Sequence, residues 1–326
     1  MPDTGSGIVY HYCSLEAFKS IIENKCLWLC DVQKSNDSAE CRVLPNAIAD
    51  ELERRFHNHQ SQLPYLTLAD KEYSRLLSIL RNETDICNQQ VYSISFSLCA
   101  DQLSQWRGYA NDGTGICIGF NSAYLNDLSA YGFMFRHISY DQTALSDTVE
   151  QYTSNILNFL KHLPSIPAPK DITSEQLKAF QESNPIIASV QQHAPFFKLA
   201  PFYEENESRL CFLANHIMVP SNSILFQSID QRINQHLSNN KWFSISPLQF
   251  RVTSSDLQSY YKLHFATIKD TFIQEIIIGP KSPVKISDIY LLLSANGYNV
   301  KISQQNISMS FFSDSLQIRK SALTYR

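Results

Sequence analysis

Apolar residues recur along this chain at two periods. Over residues 91–98, VYSISFSL, Tyr92, Ile94, Phe96 and Leu98 alternate with Ser93, Ser95 and Ser97. That is the period of a strand with one buried face. Over 15–24, Leu15, Phe18, Ile21 and Ile22 follow helical spacing behind Ser14, a good cap. IVYHY (8–12) and CLWLC (26–30) read as strands on either side of that helix. A helix carrying Ile48, Leu52 and Phe56 follows the loop SNDSAE, and most of 60–85 has helical character. After the serine-alternating strand come a short helix, DQLSQWRGYA, an NDG turn and a returning strand, GICIGF. Further strands are predicted near FMFRHISY, from Ser208 to Leu213, in TFIQEIIIG and in YNVKIS. Helices are predicted after FMFRHISY, in the polar stretch to about 192 and in SDIYLLLSANG, which a glycine stops. Residues 221–246 are polar and show no clear period.

Strands and helices interleave without a regular βαβ beat, which predicts an α+β fold. A single domain spans 1–326, with 160–195 a proline-containing helical insertion or connection around LPSIPAPK. No internal repeat is visible.

Composition narrows the classes of function. The chain has 326 residues and is 44% hydrophobic, enough for a sizeable core. A net charge of −4 offers no bulk argument for nucleic acid or a membrane surface. No apolar run approaches the roughly 18 residues of a membrane span. The start MPDTGSG lacks the basic-then-apolar order of a secretory signal, so a cytoplasmic protein is expected. Eight cysteines form no CxxC pair. His11, Cys13, Cys26, Cys30 and Cys41 have the spacing of no known zinc finger or ribbon, so packed thiols are expected. Four of the nine glycines fall within 108–119, where backbone must turn sharply or approach something closely, yet no phosphate-loop fingerprint is present.

Four stretches concentrate chemistry. In YHYCSLEAF, His11 stands at a strand end between Tyr10 and Tyr12, as a satisfied core histidine or a ligand contact. In SNDSAE, Asn36, Asp37 and Glu40 serve loop and cap chemistry or wall a pocket. In the third, Ser95 and Ser97 precede Trp106 and Tyr109, which are core aromatics or a platform for a flat ring. The fourth, FYEENESRLCF, crowds Glu204, Glu205 and Glu207 ahead of Arg209. Strand alternation would put Glu205, Glu207 and Arg209 on one face, opposite Leu210 and Phe212. A surface ion pair there would contribute little. A carboxylate held near a cation stays ionised, which a reaction through a sugar oxocarbenium ion requires.

Over almost the whole chain, the order of these stretches resembles a widespread bacterial family catalogued as a domain of unknown function. Its pattern is met here by His11-Tyr12-Cys13-Ser14, Asn36-Asp37…Glu40 and Ser95-Phe96-Ser97. It continues with Trp106…Tyr109…Gly115…Phe120, Phe202…Glu205…Glu207…Arg209 and Gln274-Glu275 to Pro280. That family implies no activity, although its members often look like parts of phage-defence loci. A more distant resemblance is to ADP-ribosyltransferase folds, including their DNA-modifying toxin branch. It rests on VYHYCSLEAFKSIIENKCLWLC, SISFS and Glu205-Asn206-Glu207. Asn24-Lys25-Cys26-Leu27 replaces the usual glycine before the leucine, and Phe96 replaces a threonine.

This second resemblance implies a mixed, split β-sheet flanked by helices, with NAD as substrate. His11 would bond a ribose hydroxyl, Ser95 or Ser97 would hold the ligand, and Tyr12, Trp106 or Tyr109 would stack on nicotinamide. Asn36 and Asp37 join this binding set. Glu207 would bond the nicotinamide-ribose 2′-hydroxyl, Glu205 would orient or deprotonate the acceptor, and Arg209 would hold the pyrophosphate or position the glutamates. Glu275 competes for the glutamate role, because its strand also resembles a late catalytic strand of other branches. The expected function is an ADP-ribosyltransferase or NAD glycohydrolase acting as a toxin or phage-defence effector. Its acceptor would be a protein, a nucleic acid or water, with a homo-oligomer or cognate regulator as further partner and no membrane. Two alternatives stand: a metal-dependent nuclease or hydrolase using Asp37, Glu40, Glu205 and Glu207, and a non-catalytic sensor of a nucleotide or phage component.

Overall fold

The structure is a computed structural model that describes residues 7–34, 41–56, 67–81, 89–164, 174–215, 237, 239–253, 256–300 and 316–325. β1 (Ile8–Cys13) passes through Ser14, whose Oγ accepts from the Ala17 N–H, into α1 (Leu15–Asn24). Lys25 ends the helix in the left-handed conformation, φ 51°, and β2 (Cys26–Asp31) follows. Then come α2 (Val43–Phe56), α3 (Leu68–Arg81), β3 (Gln89–Ser97), α4 (Leu103–Tyr109) and β4 (Ile116–Asn121). After them run α5 (Ser122–Asp127), β5 (Met134–His137), α6 (Gln142–His162), α7 (Ser174–His193) and β6 (Glu207–Asn215). The chain continues with β7 (Ser244–Ile245), β8 (Gln249–Val252), β9 (Leu257–His264), α8 (Lys269–Phe272), β10 (Ile273–Ile278), α9 (Ile286–Ala295) and β11 (Gln317–Lys320).

Several elements depart from the pattern-based reading, among them α5 (Ser122–Asp127) and the helix Lys269–Phe272, neither of which was predicted. β8 and β9 occupy 249–264, a stretch for which no element was predicted. The expected strand YNVKIS has no strand over Tyr298–Val300, and its remainder lies outside the described residues. Tyr298 is instead buried, its hydroxyl donating to the Ile22 carbonyl at 3.3 Å, which draws this segment onto α1. The described final strand is β11, parallel to β10.

Among the described residues eleven strands form one mixed sheet flanked by helices. β3 is its branch point. One edge of β3 pairs with β6 over nine residues, from Gln89 opposite Asn215 to Ser97 opposite Glu207. Its other edge is divided between two strands. β1 pairs only at Tyr10 with Ser97, whereas β2 pairs at Cys30 with Ser93 and Asp31 with Tyr92. One arm of the fork continues as β1-β4-β10-β11, the other as β2-β9, with β7 and β8 both on the far edge of β9.

The main core packs one sheet face, including Ile94, Phe96, Ile118, Leu210 and Ile276, with α1 and α9. A second apolar cluster joins α2, α3, α6 and α7 through Ile48, Leu52, Leu76, Ile156, Leu160 and Val190. Described residues from the 160–195 stretch thus belong to a helical layer with its own core. A third, small cluster packs Tyr10 and Tyr12 of β1 with Trp106 of α4 and Ile277 of β10. No helix among the described residues is long and apolar enough to cross a membrane.

The glycine cluster marks close backbone approach. A Cβ on Gly115 would lie 2.2 Å from the Cys13 carbonyl oxygen and 2.9 Å from that of Ala110. The Gly115 N–H donates to Ala110 O at 2.9 Å, and its own carbonyl accepts from the Gly279 N–H at 3.0 Å. Three chain segments therefore meet where no side chain fits. Gly108, within α4, has open space around its Cβ position. Gly115→Ala should destabilise the protein by about 2–3 kcal/mol in chemical denaturation, through backbone displacement. Gly108→Ala should stabilise it by about 0.5–1 kcal/mol, through helix propensity. Equal effects of the two would refute the packing account.

Candidate functional site

Where the sheet forks, a cleft of about 690 Å³ opens. Register defines its floor. Ser93, Ser95 and Ser97 stand opposite Cys211, Arg209 and Glu207, and alternation places all six on one face. At the fork, His11 and Phe96 also reach the cleft, because β1 has parted from β3 beyond Ser97. The His11 Nδ1 lies 3.0 Å from the Ser95 carbonyl oxygen. A carbonyl only accepts, so Nδ1 carries the proton and the neutral ring keeps Nε2 as an acceptor. Burial lowers the His11 pKa and the bond to Ser95 opposes that shift only in part, so the ring is neutral at physiological pH.

The charged wall comes from the segment before β6. Residues Ala200–Glu205 form a 3-10 helix, and Asn206 turns the chain at φ 44°. Glu205 is therefore not on the strand, and alternation does not place it beside Glu207 as expected. The turn does so instead. Lys198 Nζ lies 2.6 Å from Glu205 Oε2 and 2.8 Å from Glu207 Oε2, the second contact being off hydrogen-bond alignment. Behind Glu207, Arg209 directs Nε at 2.8 Å and Nη2 at 2.7 Å to Oε1, while Nη1 donates to the Pro195 carbonyl at 2.9 Å. Two carboxylates and two cations cancel in formal charge. Burial opposes ionisation of Glu207, but Arg209 and Lys198, with a hydrogen bond from Ser95, outweigh it and hold the pKa below the usual carboxylate value. Burial likewise favours neutral Lys198, and the two glutamates overcome it, raising that pKa. Tyr140, whose hydroxyl accepts from the Glu207 N–H at 3.2 Å, is pushed up to about 12 by burial and by the neighbouring carboxylates.

The expected residues divide. His11, Tyr12, Ser95, Ser97, Tyr109, Glu205 and Glu207 all reach the cleft. Tyr12 is nevertheless buried, its hydroxyl donating to Cys99 O at 2.8 Å, which leaves no open ring face for stacking. The Ser97 hydroxyl donates to Glu205 O and accepts from the Cys99 N–H, so it holds the turn. Tyr109, half-exposed at the rim, donates to Glu205 Oε1 at 2.8 Å. Trp106 is fully buried, edge-on to Tyr12, with Nε1 donating to Asp101 at 2.7 Å. It is core, not platform. Arg209 is 1% exposed and cannot reach a pyrophosphate in the cleft, so only positioning of the glutamates remains for it. Glu275 pairs with Arg319 at 2.6 Å on the far side of Tyr10 and does not line the cleft. Asn36, Asp37 and Glu40 lie outside the described residues.

Sequence reasoning missed Lys198, Lys34, Arg251 and Gln258, all at the cleft. Lys198 has no periodic signal, because the 3-10 turn alone brings it to the glutamates. Gln258 is legible only through the alternation of LQSYYKLH, and Arg251, in the short strand QFRV, only through the pairing of that strand with it. Among the described residues no group of three His, Cys, Asp or Glu side chains is placed to hold a metal ion.

The chain matches, over residues 105–210, the model of a family described as a protein of unknown function (DUF2971). This agrees with an uncharacterised domain family. Two of the six motif segments, Trp106 to Phe120 and Phe202 to Arg209, fall inside the match, and the other four fall outside it. No curated protein and no solved structure matches the chain.

The depressed pKa of Glu207 makes stability pH-dependent. Its contribution is complete above the unfolded carboxylate value of about 4.3. It is lost as pH falls through the lower folded value. Glu207→Gln should therefore cost about 3 kcal/mol at pH 7, by leaving Lys198 and Arg209 short of a buried partner. In urea titrations the gap between variant and wild type should narrow steadily below about pH 4. A gap unchanged at pH 3 would mean that Glu207 is not ionised in the folded protein.

Proposed function

We propose that the cleft binds NAD and that the chain is an ADP-ribosyltransferase or an NAD glycohydrolase, acting as a toxin or defence effector. The observation that carries this reading is Glu207, an ionised carboxylate only 5% exposed yet at the cleft, held by Lys198 and Arg209 and facing the fork with His11. Such a group stabilises developing positive charge without reorganising, the main need of glycosidic cleavage through an oxocarbenium ion. The fork between β1 and β2 on the edge of β3 supports the reading as well, since it gives a ligand room between the two arms of the sheet.

In this scheme the bond between the ribose C1′ and the nicotinamide nitrogen breaks. Its electron pair passes to the ring nitrogen, which loses its positive charge. Glu207 accepts a hydrogen bond from the ribose 2′-hydroxyl and stabilises the cation left at C1′. His11, neutral and with Nε2 bare, accepts from a ribose hydroxyl. An acceptor O–H or N–H then bonds to C1′, and its proton passes to Glu205 once Tyr109 and Lys198 release that carboxylate. With water as acceptor the products are ADP-ribose, nicotinamide and a proton.

A binding-only role is the second reading, favoured by Lys198, which with Arg209 balances the charge of both carboxylates. A cation-activated hydrolase is less well supported, because Lys198 Nζ occupies the space between Glu205 and Glu207 that a metal would need. Purified protein incubated with NAD, with and without cell extract, should release nicotinamide by chromatography. Glu207→Gln should lower the rate by about 100-fold or more. Glu275→Gln, which removes a carboxylate outside the cleft, should leave it largely unchanged. No release from wild type under either condition would sink the enzymatic reading and leave the binding one.

A further inference from the structure

The cleft has a second charged end that the scheme above does not use. One sheet face runs without interruption from Glu207 to Arg251. Glu207 stands opposite Ser97, Ser93 opposite Cys30, Cys30 opposite Tyr260, and Gln258 opposite Arg251. Each step keeps the same face, because residues two apart on a strand do. Arg251 is thus four strands from Glu207, roughly 19 Å across the strands at about 4.8 Å each, and it is displaced further along them, because Ser93 lies four residues from Ser97 and Gln258 two from Tyr260.

Arg251 is oriented without being neutralised. Its Nε and Nη2 donate to Gln258 Oε1 at 3.0 and 2.8 Å, and its guanidinium lies over the Trp28 ring at 5.6 Å. Trp28 in turn stacks on Tyr260, with ring centres 4.3 Å apart. The Gln258 amide donates to the Lys34 carbonyl at 3.3 Å, which ties that lysine to the same corner. Of the nearby acids, Asp256 is paired with Lys34 at 3.0 Å, and Asp31 accepts from Gln90. Among the described residues no carboxylate pairs with Arg251. A planar cation held by a neutral amide and an aromatic face keeps its full charge and its outer N–H groups for a ligand oxyanion.

We propose that Arg251, fixed by Gln258 and Trp28, is a phosphate subsite for the end of the ligand remote from Glu207. This rests on the dinucleotide reading and sharpens it. The pyrophosphate lies close to the nicotinamide ribose, too near Glu207 to meet Arg251, whereas a phosphate on the adenosine ribose extends away from it. The substrate class is therefore a nicotinamide dinucleotide that carries a phosphate on its adenosine ribose, in preference to the unphosphorylated one.

Calorimetric titration of wild type, Arg251→Gln and Glu207→Gln tests this, with three probes: ADP-ribose, ADP-ribose 2′-phosphate and inorganic pyrophosphate. Wild type should bind the phosphorylated probe about tenfold more tightly than ADP-ribose, the size of one charge-assisted contact. Arg251→Gln should erase that preference while holding the affinity for ADP-ribose within about twofold. Glu207→Gln should keep the preference. Arg251 is exposed, and an unchanged melting temperature would show that its variant is folded. Equal binding of the two nucleotides by wild type, or a preference that survives Arg251→Gln, overturns the proposal. If only pyrophosphate binds, and only when Arg251 is present, the anion subsite stands while the dinucleotide reading falls. No binding of any probe overturns both.

Discussion

One edge of β3 is taken by β6 over nine residues, and the other is shared by β1 at Ser97 and by β2 at Ser93 and Tyr92. This division is the constraint on which the rest depends. A strand paired fully on both edges would seal the sheet. Here the stretch between the two contacts is not covered by a strand, and the His11 ring satisfies the exposed Ser95 carbonyl instead. The cleft, the tautomer of His11 and the exposure of Ser95 follow from that unclosed seam.

The charged wall works by a different balance. Burying a carboxylate is costly, and a single cation seldom compensates for it. Glu207 has two, and each cation has further partners: Arg209 reaches the Pro195 carbonyl and Lys198 reaches Glu205. Summed charge is zero, yet the positions are specific. Arg209 is fully buried behind Glu207, whereas Lys198 lines the cleft. That asymmetry anchors one Glu207 oxygen on Arg209 and turns the other toward Lys198 at the cleft. The cleft also differs along its length, with the charge-balanced cluster of Glu205, Glu207, Lys198 and Arg209 at the β6 end and the amide-held Arg251 at the β8 end.

Much of this was legible in the chain. The two-residue period of VYSISFSL, the helical spacing behind Ser14 and the apolar run of TFIQEIIIG correspond to β3, α1 and β10. The serine row was legible too, because strand alternation is a local rule. The same rule misplaced Glu205, since it assumes a strand where Ala200–Glu205 forms a 3-10 turn. It was also blind to Trp106, for an aromatic residue at helical spacing reads alike as platform or core until the opposing Tyr12 is known.

By itself, then, the amino-acid sequence determined which segments alternate, which side chains are apolar and which short stretches carry acids, histidine and serines. Those depend on neighbours a few residues apart, whose geometry the backbone periods dictate. Only the tertiary structure decided that Lys198 sits between Glu205 and Glu207, that Glu275 pairs with Arg319 outside the cleft, and that Arg251 shares a sheet face with Glu207. These relations join residues through strand register and through one irregular turn, and no periodicity along the chain encodes which strands become neighbours. Register is set by burial of whole faces at once, so the site exists only when the sheet does.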